Sequence, residues 1–124
     1  MKKALAVYFD DVRISPVTSA LDRHAQQLSA LGHPVRLQIL RFVVQGGDGG
    51  TSAGEIQAHV DLPASTLSHH LKRLVEAGVF TTRLEGTFHY YAADYAALMA
   101  LTAYVWEDCC KRGKGGKVVK SGCC

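Results

Sequence analysis

The first 108 residues of this 124-residue chain contain no cysteine; all four, Cys109, Cys110, Cys123 and Cys124, fall in the last sixteen positions. A disulfide framework that staples a small fold spreads its bridges through that fold, so this chain is not built on one. In a reducing compartment the four read as thiols open to soft metals or redox chemistry. Long apolar runs are also missing. None approaches the roughly 18–20 residues that span a bilayer. The stretch Met1-Lys2-Lys3-Ala4-Leu5-Ala6-Val7 resembles the start of a signal peptide, but it is short and Asp10-Asp11 follows at once. It reads as mature sequence, and the chain is expected in the cytoplasm. Acids are absent from Lys111 to Cys124, which holds five Lys or Arg. Those five account for the net charge of +3: residues 1–110 keep nine basic against eleven acidic residues. The body is therefore not a generally cationic surface, and any polyanion must be met by a local patch. No histidine lies near the cysteines to act as a base, so a thiol enzyme is not expected.

What is present is an apolar fraction of 48%, enough for one packed domain. Residues 1–18 read as an N-terminal extension: Leu5, Val7 and Phe9 alternate too briefly for a strand, and Pro16 opposes a helix. Ser19 can cap a helix with Leu21, Ala25, Leu28 and Leu31 on one stripe, ended by Gly32. Pro34 suits the first turn of the next helix, which is apolar on most sides from Val35 to Val44 and so expected to be central. Gly46-Gly47-Asp48-Gly49-Gly50 breaks it. Ser52-Ala53-Gly54-Glu55 fits a capping box, opening a short helix that buries Ile56 and Val60. Asp61-Leu62-Pro63 forces a turn, and a second helix from Ala64 sets Leu67, Leu71, Leu74 and Val75 on one face. After Ala77-Gly78, two short strands are expected, Val79–Arg83 and Phe88–Ala92, around a turn containing Gly86. The last helix is expected from about Asp94 to Cys110. It is apolar nearly all round, so it needs two surfaces to bury against, one of them a second subunit.

Two short helices joined by a tight turn let the first brace the second, which can then lie in a DNA major groove. The stripe Leu67/Leu71/Leu74 decides which face points out. Ser65, Thr66, Ser68, His69, His70, Lys72 and Arg73 lie wholly or partly off it, and no acid occurs between Asp61 and Glu76. Hydroxyls near a helix N-terminus suit phosphates and base edges; Lys72 and Arg73 suit phosphates. Of the adjacent histidines, one is expected to face DNA and one to pack. The hairpin would form a wing, with Arg83, Gly86, Thr87 and His89 placed to reach backbone or minor groove. The architecture expected is mainly α with a β-hairpin wing: a winged helix-turn-helix of about five helices and two strands over residues 19–110, homodimeric. Solvated polar residues on any helical hairpin would give part of this pattern, but not the order helix, turn, helix, hairpin over some 40 residues.

Leu31-Gly32-His33-Pro34-Val35-Arg36-Leu37-Gln38-Ile39-Leu40 resembles the L-a-x-P-x-R-l-x-I-L opening of the ArsR/SmtB family of metal-responsive repressors. Glu55-Ile56, the run Ser65–Leu74 and Glu76-Ala77-Gly78-Val79 resemble its recognition helix and exit; Arg83–Thr87 and Tyr90-Tyr91 resemble its wing. The resemblance covers about residues 19–110. It implies a homodimer paired through the first and last helices, bound to a palindromic double-stranded operator and released by inducer.

The family senses ions at several places. Its helix-turn-helix arsenic site uses cysteines that are absent here between Ser52 and Leu62. Its interfacial zinc site uses Asp and His along the last helix; Asp94 is present, but no His lies between Asp94 and Cys110. Its redox and sulfide sensors pair a cysteine of the second helix with one of the last. Glu107-Asp108-Cys109-Cys110 instead resembles the subgroup whose arsenite site is an adjacent cysteine pair plus a third cysteine further on. The resemblance implies trivalent arsenic as inducer, held by thiolates of Cys109 and Cys110 with Cys123 or Cys124. Glycines at 113, 115, 116 and 122 make 111–124 a flexible basic tail in this reading, and closing such a loop costs only slowly more with length. Four thiols would equally suit cadmium, lead or zinc, and two alone an organoarsenical. Adjacent helical residues do not face one another, so sharing one ion requires the last turn to rearrange. Outside the DNA-binding class, the alternative is a protein-interaction winged helix with a metal-buffering tail.

Overall fold

The computed structural model describes residues 19–113. The expectations for residues 1–18, and for Cys123 and Cys124, lie outside the described residues.

Local chemistry sets the start of each helix. The Ser19 hydroxyl accepts from the Asp22 N–H at 3.1 Å and opens α1, Ala20–Leu31. His33 Nδ1 accepts from the Val35 N–H at 3.1 Å, and Pro34 occupies the first turn of α2, Pro34–Val44. The capping box at Ser52 and Glu55 is fully formed and opens α3, Ala53–Val60. Asp61, left-handed at φ 53°, turns the chain into α4, Ala64–Glu76. Asp94 caps α5, Tyr95–Trp106, by accepting from the Ala97 N–H at 3.0 Å. The last helix is therefore shorter than expected: it stops at Trp106, and the cysteines follow in a run of turns.

The sheet has three strands rather than two, in the order β1-β3-β2. Strands β2, Phe80–Glu85, and β3, Phe88–Ala93, pair antiparallel around the tight turn at Gly86 and Thr87, with Arg83 opposite Tyr90. The added strand is β1, Thr51–Ser52, which pairs with Tyr91 and Tyr90. The glycine run makes this possible. After a single 3-10 turn at Gly47–Gly49, Gly50 adopts φ 87°, and a Cβ there would stand 3.2 Å from the Tyr91 carbonyl oxygen. Only glycine lets the chain approach β3 so closely.

Ile39 and Val43 of α2, Ile56 of α3, Leu67, Leu71 and Leu74 of α4, and Val79 and Phe80 form one core with Ala30. Two elements leave apolar residues uncovered on the protomer. In α1 the buried residues are His24, Gln27 and Ala30, whereas Leu21 and Leu28 are 61% and 50% exposed. In α5 only Leu101 is buried, and Met99, Val105 and Trp106 are all more than half exposed. The polar pair on α1 is satisfied internally: His24 Nδ1 meets Gln27 Oε1 at 2.9 Å, and the His24 ring lies 4.6 Å from the Tyr104 ring of α5. The apolar stripes of both helices thus lie on the outside of the protomer. No helix among the described residues is long and apolar enough to cross a membrane.

Candidate nucleic-acid interface and thiol site

The core face of α4 leaves Ser65, Thr66, Ser68, His69 and Lys72 exposed, with Arg73 partly buried. Lys72 Nζ lies 3.9 Å from Glu76 Oε2, an open pair that screening leaves weak. The helix therefore presents hydroxyls toward its N-terminal half and cations toward its C-terminal half on one accessible surface.

His70 is the exception. The sequence places it among the DNA contacts, but its side chain is buried at the junction of α1, α2 and α4. Its Nδ1 stands 3.2 Å from Nη1 of Arg36, and its ring centroid lies 4.9 Å from that of His33. Arg36, itself buried in α2, also donates through Nε to the Ala30 carbonyl at the end of α1, at 2.6 Å. Burial first, then the neighbouring Arg36 and His33, holds the His70 pKa below its ordinary value. Of the two adjacent histidines, His70 packs and His69 is exposed. The sequence reading assigned no role to Arg36. The available signal was its place as the Arg of the Leu31–Leu40 motif.

The wing residues Arg83, Gly86, Thr87 and His89 are exposed. Arg83 is engaged within the wing: Nε donates to Glu85 Oε2 at 3.1 Å, Nη1 donates to the Gly49 carbonyl at 3.2 Å, and the guanidinium lies 4.7 Å over the Tyr90 ring. It ties the wing to the glycine turn that precedes β1. The ring of His89 stacks 5.2 Å from that of Tyr91, whose hydroxyl pKa burial pushes up.

At the far end of the chain, Cys110 adopts φ 63°, and its Sγ stands 3.4 Å from that of Cys109. Two thiolates sharing an ion at metal–sulfur bonds of ~2.3 Å stand about 3.3–3.8 Å apart, a range that includes this separation. Cys109 borders an open cavity of about 450 Å³ lined by Tyr104, Val105, Trp106, Glu107 and Asp108. The two cysteines are held in disulfides here, whereas the sequence reading takes them as thiols. No cysteine lies in the described core. Among the described residues no group of three or more His, Cys, Asp or Glu side chains is arranged to hold a metal.

A helix-turn-helix domain family matches residues 31–83, the stretch from the end of α1 to the middle of β2. The arsenical resistance operon repressor of Bacillus subtilis is 31% identical over 98 residues, 77% of this chain and 90% of that protein. This chain belongs to the ArsR family. An arsenical resistance operon repressor of Staphylococcus aureus is 35% identical over 71 residues, 57% of the chain and 65% of that protein. Less than two thirds of that relative is therefore spanned. The fold agrees with the homodimeric winged helix-turn-helix DNA-binding domain of a Mycobacterium bovis protein: TM-score 0.57, 27% identity, 84% of this chain and all of that one. The family is one of DNA-binding transcriptional regulators, and α4 is the second helix of this chain's helix-turn-helix.

Proposed function

We propose that this ArsR-family protein is an arsenite-responsive repressor. It binds a palindromic operator as a homodimer and leaves it when trivalent arsenic binds the cysteines that follow α5. The observation that carries the reading is the 3.4 Å approach of Cys109 and Cys110 Sγ, directly after a helix whose Met99, Val105 and Trp106 are exposed on the protomer. The exposed stripes of α1 and α5 suit a second copy, which would bury them and place two copies of α4 on one DNA face. Ser65, Thr66, Ser68, His69, Lys72 and Arg73 would meet phosphates and base edges, with Gly86, Thr87 and His89 of the wing alongside. Arsenic takes three thiolates, so Cys123 or Cys124 would complete the site once the disulfides are reduced. Closing Cys123 or Cys124 onto an ion held by the Cys109–Cys110 pair would pull on the end of a dimerisation helix. A coupling of roughly 1–3 kcal/mol would weaken operator binding about 5–150-fold. The expected compartment is the reducing cytoplasm.

The test is operator binding by the reduced full-length chain with and without arsenite. Release by arsenite, with the C109S/C110S variant bound but unresponsive, supports the reading. A double variant that still responds overturns the sensor assignment. Parallel titrations with phenylarsine, cadmium, lead and zinc tell arsenite from an organoarsenical or another soft ion.

A further inference from the structure

The junction between α2 and the DNA-reading helix holds a buried cluster of histidine and arginine side chains. Its members come from three places: His33 from the α1–α2 connection, Arg36 from α2, and His70 from α4, with His69 and Arg73 of α4 also acting on His70. Hydrogen-bond chemistry fixes the state of the rings. A guanidinium has donors only, so the 3.2 Å contact from Arg36 Nη1 requires His70 Nδ1 to accept. His33 Nδ1 likewise accepts, from the Val35 N–H at 3.1 Å. Both imidazoles must therefore be neutral and carry their proton on Nε2. That tautomer presents no lone pair at Nε2, which leaves the cluster unsuited to a metal.

We propose that Arg36 and His70 are positioning residues for DNA reading, forming a proton-sensitive latch that holds α4 in its reading orientation only while His70 is neutral. The inference rests on α4 being the DNA-reading element. Arg36 spans the joint: Nε holds the Ala30 carbonyl at the end of α1, while Nη1 holds α4 through His70. A proton on His70 Nδ1 would abolish the acceptor and set two cations face to face in a buried site. That change loosens the junction.

The experiment uses a duplex selected from a random library by the full-length chain at pH 7.5, with affinity then measured from pH 7.5 to 5.5 at constant ionic strength. The expected result is at least a fivefold loss of affinity in the native protein across that range. In H70Q the amide oxygen keeps an acceptor for Arg36 at every pH, and the loss should shrink to less than twofold. H70A, without an acceptor, should bind more weakly at every pH. Affinity that rises or stays level on acidification in the native protein, or an equal loss in H70Q, overturns the latch. Nitrogen-15 NMR of the histidine rings judges it without DNA. His70 should show the Nε2–H tautomer at pH 7.5 and take up its proton below the ordinary imidazole pKa; an Nδ1–H tautomer, or titration at the ordinary value, overturns it. If no duplex is selected, the DNA-reading role of α4 fails, and the ring titration still decides whether the latch exists.

Discussion

Cys109 and Cys110 are neighbours in sequence, yet their Sγ atoms stand 3.4 Å apart because Cys110 turns to φ 63° beyond the end of α5. On a continuing helix the two side chains would diverge by about 100°. The short helix and the left-handed residue thus create the pair. Replacing either cysteine with serine should leave operator affinity within about twofold. It should also remove most of the roughly 5–150-fold weakening expected with arsenite. Fluorescence anisotropy on the reduced protein measures both quantities.

On α4, Lys72 is exposed and points away from the core. If it meets one phosphate, K72A should reduce the slope of log affinity against log salt by about 0.9, with little change in sequence preference. An unchanged slope would remove Lys72 from the interface.

The stripes of Leu21 and Leu28 on α1 and of Met99 and Trp106 on α5 are exposed on the protomer. Replacing Leu28 and Trp106 with glutamate should give a monomer in sedimentation while the far-ultraviolet helix signal persists. A dimer that survives both charges would place the subunit interface elsewhere.

Stability should depend on pH through His70. Its folded pKa lies below the ordinary value of about 6.5. The unfolded chain therefore takes up the proton first as pH falls. The contribution of neutral His70 is complete above about pH 6.5 and is lost progressively below it, toward the folded pKa. Tm should fall more steeply between pH 7 and 5 in the native protein than in H70Q, and differential scanning fluorimetry checks the difference. Equal slopes would mean that His70 does not titrate in this window.

Two local changes should separate framework from function. S52A removes one half of the capping box and should cost about 1 kcal/mol. L74A opens a cavity under α4, at a residue with no solvent exposure, and should cost about 2–5 kcal/mol. Urea denaturation measures both. A larger loss for S52A than for L74A would contradict the packing described.

Much of this was legible in the residues. The caps at Ser19 and at Ser52 with Glu55, the prolines at 34 and 63, and the Leu67/Leu71/Leu74 stripe are local signals, and the helices begin and pack as those signals require. The end of α5 was not legible. Its apolar run continues to Trp106, and nothing in the pattern says that the following Glu107-Asp108-Cys109-Cys110 forms turns instead. Strand β1 was hidden for a similar reason: two residues carry no period, and their pairing depends on Gly50 approaching Tyr91.

The sequence by itself determined a helix-turn-helix with a wing, because helix starts, turns and amphipathic faces depend on residues within a few positions of each other. Only the tertiary structure decided which side of α1 is buried, which histidine of the His69-His70 pair faces outward, and that Arg36 joins α1 to the reading helix. Those outcomes depend on partners distant in sequence, such as Arg36 and His70, 34 positions apart. A polar residue pays for burial only when such a partner is brought within hydrogen-bond reach, and packing, not spacing along the chain, decides that.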